Sequence, residues 1–136
     1  DNLIILEPTL DDLFDEKIYI LDICDKKYYI PLWCHELCYD ISGDDLIVKC
    51  QPQTPKHIYI DDNNNIFVNV NKKITDVFGK PIVFHLGNKK LSIDSKELFL
   101  KHKQTFTFYN QGIPKFNQND IYSVKKGHIY VNIFLS

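Results

Sequence analysis

Residues 9–24 read TLDDLFDEKIYILDIC, and residues 74–84 read ITDVFGKPIVF. The first stretch opens on a Thr suited to cap a helix, puts Asp11 and Asp12 in the first turn, and spaces Leu10, Leu13 and Phe14 along one side. That pattern predicts one short helix. Alternation of period two begins directly after it, in Lys17-Ile18-Tyr19-Ile20, so a strand follows the helical turn. The second stretch repeats this order, with Ile74-Thr75-Asp76-Val77-Phe78 followed by Pro81-Ile82-Val83-Phe84.

Outward from these two anchors, strand formers recur at short intervals. Residues 16–24, 27–33, 45–50, 57–60, 65–70, 81–86, 90–93, 104–110 and 128–135 are each rich in Ile, Val, Tyr and Phe, residues that fit a pleated, half-buried surface. Turn chemistry separates them at Asp25-Lys26, Ser42-Gly43, Asp61 to Asn64, Gly87-Asn88 and Asn110-Gln111-Gly112. Each half then closes on a glycine-led strand, Gly43-Asp44-Asp45-Leu46-Ile47-Val48 and Gly127-His128-Ile129-Tyr130-Val131. An opening strand, a helical turn, a hairpin and a glycine-led strand thus occur twice in one order. The expected fold is mainly β: two tandem, small, β-sandwich-like units with one short helix each. The units span residues 1–54 and 55–136, joined near Pro52 to Pro55.

Composition narrows the function. The 136 residues carry 16 basic and 18 acidic side chains, a balance of −2, which leaves no excess positive charge for phosphate backbones. Every basic residue is Lys, so the planar guanidinium fork is missing. No apolar run approaches a membrane span of about 18 residues, and no signal-like N-terminus is present. Neither nucleic acid nor membrane is therefore an expected partner. Cys24, Cys34, Cys38 and Cys50 are too few for a disulfide scaffold, and no Asn-x-Ser/Thr acceptor occurs. A cytoplasmic setting is expected. The chain opens on Asp1 and contains no Met, as expected of a piece of a longer protein.

The ordered motifs resemble the paired C-terminal domains of the DnaJ family of J-domain co-chaperones. Thr9-Leu10-Asp11-Asp12-Leu13-Phe14-Asp15-Glu16-Lys17 is similar to that family's S-L-E-D-L-F-x-G-K. Gly43-Asp44-Asp45-Leu46-Ile47-Val48, a Pro-containing turn over residues 52–57 and Asp61 to Ile66 resemble its inter-domain link. Val77-Phe78-Gly79, Gly112-Ile113-Pro114 and Gly127-His128-Ile129-Tyr130-Val131 resemble its L-L-G, G-M-P and G-D-L-Y-V. The match covers nearly the whole chain. It departs at Glu16, where the family has glycine, at His128, where it has aspartate, and at residues 32–37, which replace a glycine-rich turn. The His-Pro-Asp triplet of a J domain and the C-x-x-C-x-G-x-G repeats are absent, which makes the chain similar to the zinc-free class.

The resemblance implies a client-holding architecture with no cofactor and no covalent step. Unfolded or extended polypeptides would lie in a shallow apolar groove beside a strand edge, for delivery to a DnaK-type chaperone that the parent protein's J domain engages. Carried over by position, the groove falls on Ile4 and Leu6, on Leu21 and Ile23, and on Ile58 or Tyr59. Ile4/Leu6 and Leu21/Ile23 each sit two apart and so share one face of their strand. Apolar residues at period two are also what a core requires, and the strand over 16–24 is apolar on both faces. In zinc-free relatives, basic residues near this groove hold the partner chaperone's acidic tail. The matching positions here are Tyr19 and Asp22, with Lys17, Lys26 and Lys27 nearby. Homodimerisation would need a tail beyond Ser136.

Rival chemistries find less in the sequence. Cys34-x-x-x-Cys38 with His35, Cys24 and Cys50 is one imperfect pair rather than two C-x-x-C knuckles, so buried thiols and no metal are expected. In His35-Glu36-Leu37-Cys38-Tyr39 the second histidine of H-E-x-x-H is replaced by Tyr39. No nucleophile elbow or Gly-rich phosphate cradle exists, and an enzyme is not expected. The alternative from another class is a β-sandwich assembly or adaptor module that binds one folded protein partner.

Overall fold

A computed structural model of the chain describes residues 2–117, 119–120 and 125–136. The fold is mainly β. The first half runs β1 (Asn2–Leu6), α1 (Leu10–Phe14), β2 (Ile18–Ile23), β3 (Lys26–Pro31), β4 (Glu36–Ile41) and β5 (Asp44–Cys50). The second runs β6 (Ile58–Ile60), β7 (Ile66–Lys72), β8 (Ile82–Leu86), β9 (Lys89–Ile93), β10 (Lys103–Phe108) and β11 (Ile129–Leu135), with 3-10 turns at Ile74–Asp76 and Ser95–Glu97.

Strand order repeats between the halves. One sheet is ordered β1-β5-β4 and the other β10-β11-β7-β6, while β2-β3 and β8-β9 are separate hairpins. In the first sheet the opening strand β1 pairs parallel with the closing β5, Ile4 opposite Val48; in the second, β7, which follows the short antiparallel β6, pairs parallel with the closing β11, Val68 opposite Val131. The closing strand then takes an antiparallel neighbour, β4 or β10. Alternation fills the interior: Leu46, Val48 and Cys50 point inward from β5, and Ile129, Val131, Ile133 and Leu135 from β11. The buried residues of both halves form one apolar cluster, continuous across residues 52–55.

Local chemistry explains the turns. Ser42 and Gly43 both take positive φ, 49° and 92°, the type I′ form that matches strand twist. Gly87, at φ 60°, leads the β8–β9 turn. There a Cβ would collide with the Asp11 carboxylate, which accepts a hydrogen bond from the Asn88 N–H at 2.7 Å. This contact docks the second hairpin against α1. Gly127 has a similar reason to lack a side chain, since a Cβ would lie 2.5 Å from the Asn64 carbonyl oxygen.

Three expectations shift. The β2–β3 turn falls on Cys24 and Asp25, at φ 50° and 64°, one residue before the expected Asp25-Lys26. Within residues 74–78 only Ile74–Asp76 is helical, and as a 3-10 turn rather than an α-helical one. Lys73 supplies no side-chain cap there, and Ile74, Thr75 and Val77 are β-branched. Helix α1 has both devices its counterpart lacks: the Thr9 hydroxyl accepts from the Asp12 N–H while the Asp12 carboxylate accepts from the Thr9 N–H. Finally, β4 occupies residues expected as a loop. Its Glu36, Cys38 and Asp40 face solvent while Leu37, Tyr39 and Ile41 are half-buried, so the period of two was present under polar outer positions.

Candidate functional site

Among the described residues, strands β1 and β2 each leave one edge without a strand partner, because β1 pairs only with β5 and β2 only with β3. Unpaired N–H and C=O groups along such an edge are a template for an added strand. The helix between them is fixed by its ends. Thr9 and Asp12 cap its start, and Leu10 and Leu13 are buried beneath it, worth roughly 1.5–3 kcal/mol per fully buried side chain. Its end is closed by Lys17 N–H donating to the Asp12 carbonyl at 3.0 Å and Glu16 N–H to that of Leu13 at 3.2 Å. This is a Schellman arrangement. It puts Glu16 at φ 54°, a left-handed backbone that glycine adopts most readily.

The sequence-derived groove residues lie as follows. Ile4, Leu6, Leu21 and Ile23 are half-buried and pack against the common core. Ile58 is buried at 6% exposure opposite Val68, and its neighbour Tyr59 is exposed. The other face of β1 carries the exposed Leu3 and Ile5, and β2 carries the exposed Ile18, Tyr19 and Ile20. A cleft of about 310 Å³ at the start of β2 is lined by Asp12, Lys17, Ile18, Tyr19, Ile20 and Leu32. Lys17 lies on this cleft, 3.7 Å from Asp12. Lys27 sits 3.7 Å from Asp22, the strand position opposite it.

A larger apolar cleft lies in the second half, about 390 Å³ in volume, between residues 74–79 and 95–100. Sequence reading singled out Phe78 only as part of a helical turn, and Leu98-Phe99-Leu100 not at all. The signal available was an apolar run without strand alternation between β9 and β10.

Cys50 lies beside Cys34 and His35, its N–H donating to the His35 carbonyl at 3.0 Å, while Cys24 and Cys38 stand apart from them in solvent. Cys34 and Cys50 are buried while Cys24 and Cys38 are exposed, so the two thiols of Cys34-x-x-x-Cys38 sit in opposite environments. Burial pushes the Cys34 thiol up to about 12, reinforced by Cys50, and burial alone pushes Cys50 up to about 11. Both stay protonated at neutral pH and are poor nucleophiles and ligands. Among the described residues no three His, Cys, Asp or Glu side chains gather as a metal cluster. His35 hydrogen-bonds Asn64 and His102 the Leu135 carbonyl, while His128 accepts from the Asn110 N–H. No helix among the described residues is long and apolar enough to cross a membrane.

No protein-family model matches the chain, and no curated protein matches it in sequence.

Proposed function

We propose that the chain is the client-holding part of a zinc-free J-domain co-chaperone, built from two tandem units over residues 1–54 and 55–136. Unfolded or extended polypeptides add as a strand to the first unit and place alternate apolar side chains over Ile4, Leu6, Leu21 and Ile23. At the start of the second unit the contribution comes from the exposed Tyr59, since Ile58 is buried in the core. Passage to a DnaK-type chaperone then depends on a J domain elsewhere in the parent protein. The observation that carries this reading is the pair of unpartnered edges on β1 and β2, flanked by half-buried apolar residues that rest on the core. Side chains supported from below and open above are what a shallow, permissive groove needs. Glu16 adds support, since its left-handed backbone stands at the position where the family motif has glycine.

Energetics fit transient capture. Each well-seated apolar side chain contributes roughly 1.5–3 kcal/mol before ordering costs. Two or three such contacts with edge hydrogen bonds, less the cost of ordering the client, leave micromolar affinity. The test is suppression of aggregation of a chemically denatured protein diluted into buffer with the chain in excess. Reduced light scattering that is lost in a folded Leu21→Asp/Ile23→Asp variant is the expected result. Equal suppression by both would remove the groove from these strands.

One observation favours a second reading, an assembly module for a single folded partner. An aromatic row crosses the outer face of the second sheet. Ring centroids lie 6.1 Å apart for Tyr59–Phe67, 5.0 Å for Phe67–Tyr130, 6.0 Å for Tyr130–His128 and 5.3 Å for His128–Tyr109. Such a pre-packed face suits a rigid partner surface. A module of that kind would ignore generic unfolded peptides.

A further inference from the structure

Three strongly exposed large apolar side chains, Phe78 (68%), Phe99 (68%) and Leu100 (79%), line one cleft of about 390 Å³. Its walls are the 3-10 turn at Ile74–Asp76 with the following Val77–Gly79, and residues 95–100 across from it. Val77 and Leu135 line it from the core, at 6% and 5% exposure. Exposed apolar side chains concentrated on one concavity mark a binding surface rather than ordinary surface scatter.

Charge says what kind of partner fits. The segments that carry the walls, residues 72–80 and 94–103, hold Lys72, Lys73, Lys80, Lys96, Lys101 and Lys103 against Asp76, Asp94 and Glu97; Lys96 lines the cleft itself, and Lys103 lies over the Phe134 ring. Six minus three is +3, in a chain whose total is −2. The Asp94 carboxylate is engaged with the Lys96 backbone N–H at 3.0 Å. The ion pairs among the described residues, Lys17–Asp12, Lys27–Asp22 and Lys49–Glu36, all lie elsewhere. Lys101 places its ammonium 5.8 Å from the Phe99 ring centroid, so positive charge stands directly beside the apolar wall.

We propose that this cleft binds a linear acidic peptide segment anchored by bulky apolar side chains, at a site separate from the β1/β2 groove. The apolar anchors enter the cleft, and flanking carboxylates meet the lysines. Buried Val77 and Leu135 floor the cleft between its two walls, so that an apolar peptide side chain has a seat of about 390 Å³.

The test is fluorescence anisotropy with a labelled peptide in which Leu and Phe alternate with Glu and Asp. Two controls replace all its acids with Lys or all its apolar residues with Ser. The acidic apolar peptide is expected to bind at least about tenfold tighter than either control, and to weaken as salt rises. Phe99→Ser and Lys96→Glu/Lys101→Glu, all at solvent-exposed positions, should each weaken it about tenfold with an unchanged circular dichroism spectrum. Leu21→Asp/Ile23→Asp should leave it unaffected, which separates this site from the client groove. Equal binding of the Lys peptide, or indifference to both cleft variants, overturns the proposal. So does an absence of peptide binding with Phe99-dependent recruitment to phosphatidylserine vesicles, or with Phe99-dependent dimerisation in sedimentation.

Discussion

The Asn64 side-chain oxygen lies 2.6 Å from Nε2 of His35, joining the turn ahead of β7 to the segment ahead of β4. The Asn64 amide nitrogen donates to the carbonyls of Trp33 and Pro114, each at 2.8 Å. Its oxygen is therefore the acceptor, and His35 carries its proton on Nε2. The imidazole is held by stacking on Phe116, centroids 4.9 Å apart. Asn64 is 1% exposed with φ 63°, and Asn is among the few residues that tolerate that backbone. One side chain thus ties three distant segments together.

Asn64→Ala should cost roughly 2–6 kcal/mol, because two buried carbonyls each lose a donor worth about 1–3 kcal/mol. Urea denaturation followed by fluorescence of Trp33, the only tryptophan, measures this directly. A loss under about 0.5 kcal/mol would mean water replaces the amide at no cost.

Glu16→Gly should stabilise the chain by about 0.5–1 kcal/mol. It relieves a left-handed backbone worth roughly 1–2 kcal/mol, partly offset by the greater freedom of glycine when unfolded. The side chain is exposed, so no packing is lost. A higher urea midpoint at unchanged slope is the expected signature.

Acid should loosen α1. The backbone hydrogen bond from Thr9 holds the Asp12 carboxyl below its ordinary range, against partial burial, with the Thr9 side chain and Lys17 assisting. Its folded value is thus depressed. The stabilisation is present above the unfolded carboxylate value of about 3.9 and is lost as pH falls through the folded value. Asp12→Asn should flatten the pH dependence of the urea midpoint between about pH 5 and pH 2. Thr9→Ala should cost about 1 kcal/mol at neutral pH.

Thiol labelling should divide the cysteines two and two. Exposed Cys24 and Cys38 should alkylate rapidly at pH 8, while Cys34 and Cys50, pushed up to about 12 and about 11, react only on unfolding. Both folded values are raised, so stability is full below the unfolded thiol value of about 8.5 and falls as pH rises past it. Mass spectrometry after a timed iodoacetamide pulse reads the division. Rapid labelling of all four in buffer would contradict it.

The mainly β class was legible because Ile, Val, Tyr and Phe alternate through most strands, and because Ser42-Gly43 and Gly87-Asn88 carry hairpin chemistry. Capping was legible at Thr9 and Asp12, where both partners are local. Strand β4 was missed because Glu36, Cys38 and Asp40 disguise its half-buried face. The Asn64 clamp was invisible because its partners at Trp33, His35 and Pro114 are distant in sequence, and distance along the chain carries no pattern. Exposure was also out of reach: Ile4 and Ile5 are equivalent letters, yet only the fold makes one half-buried and the other 47% exposed.

The most direct test of client capture is fluorescence anisotropy of a labelled, uncharged, apolar extended peptide with the chain and with its folded Leu21→Asp/Ile23→Asp variant. Micromolar binding by the parent, lost in the variant, is the predicted result. No binding by the folded parent at hundreds of micromolar, about 5 kcal/mol or weaker, would contradict the groove and turn attention to a single folded partner.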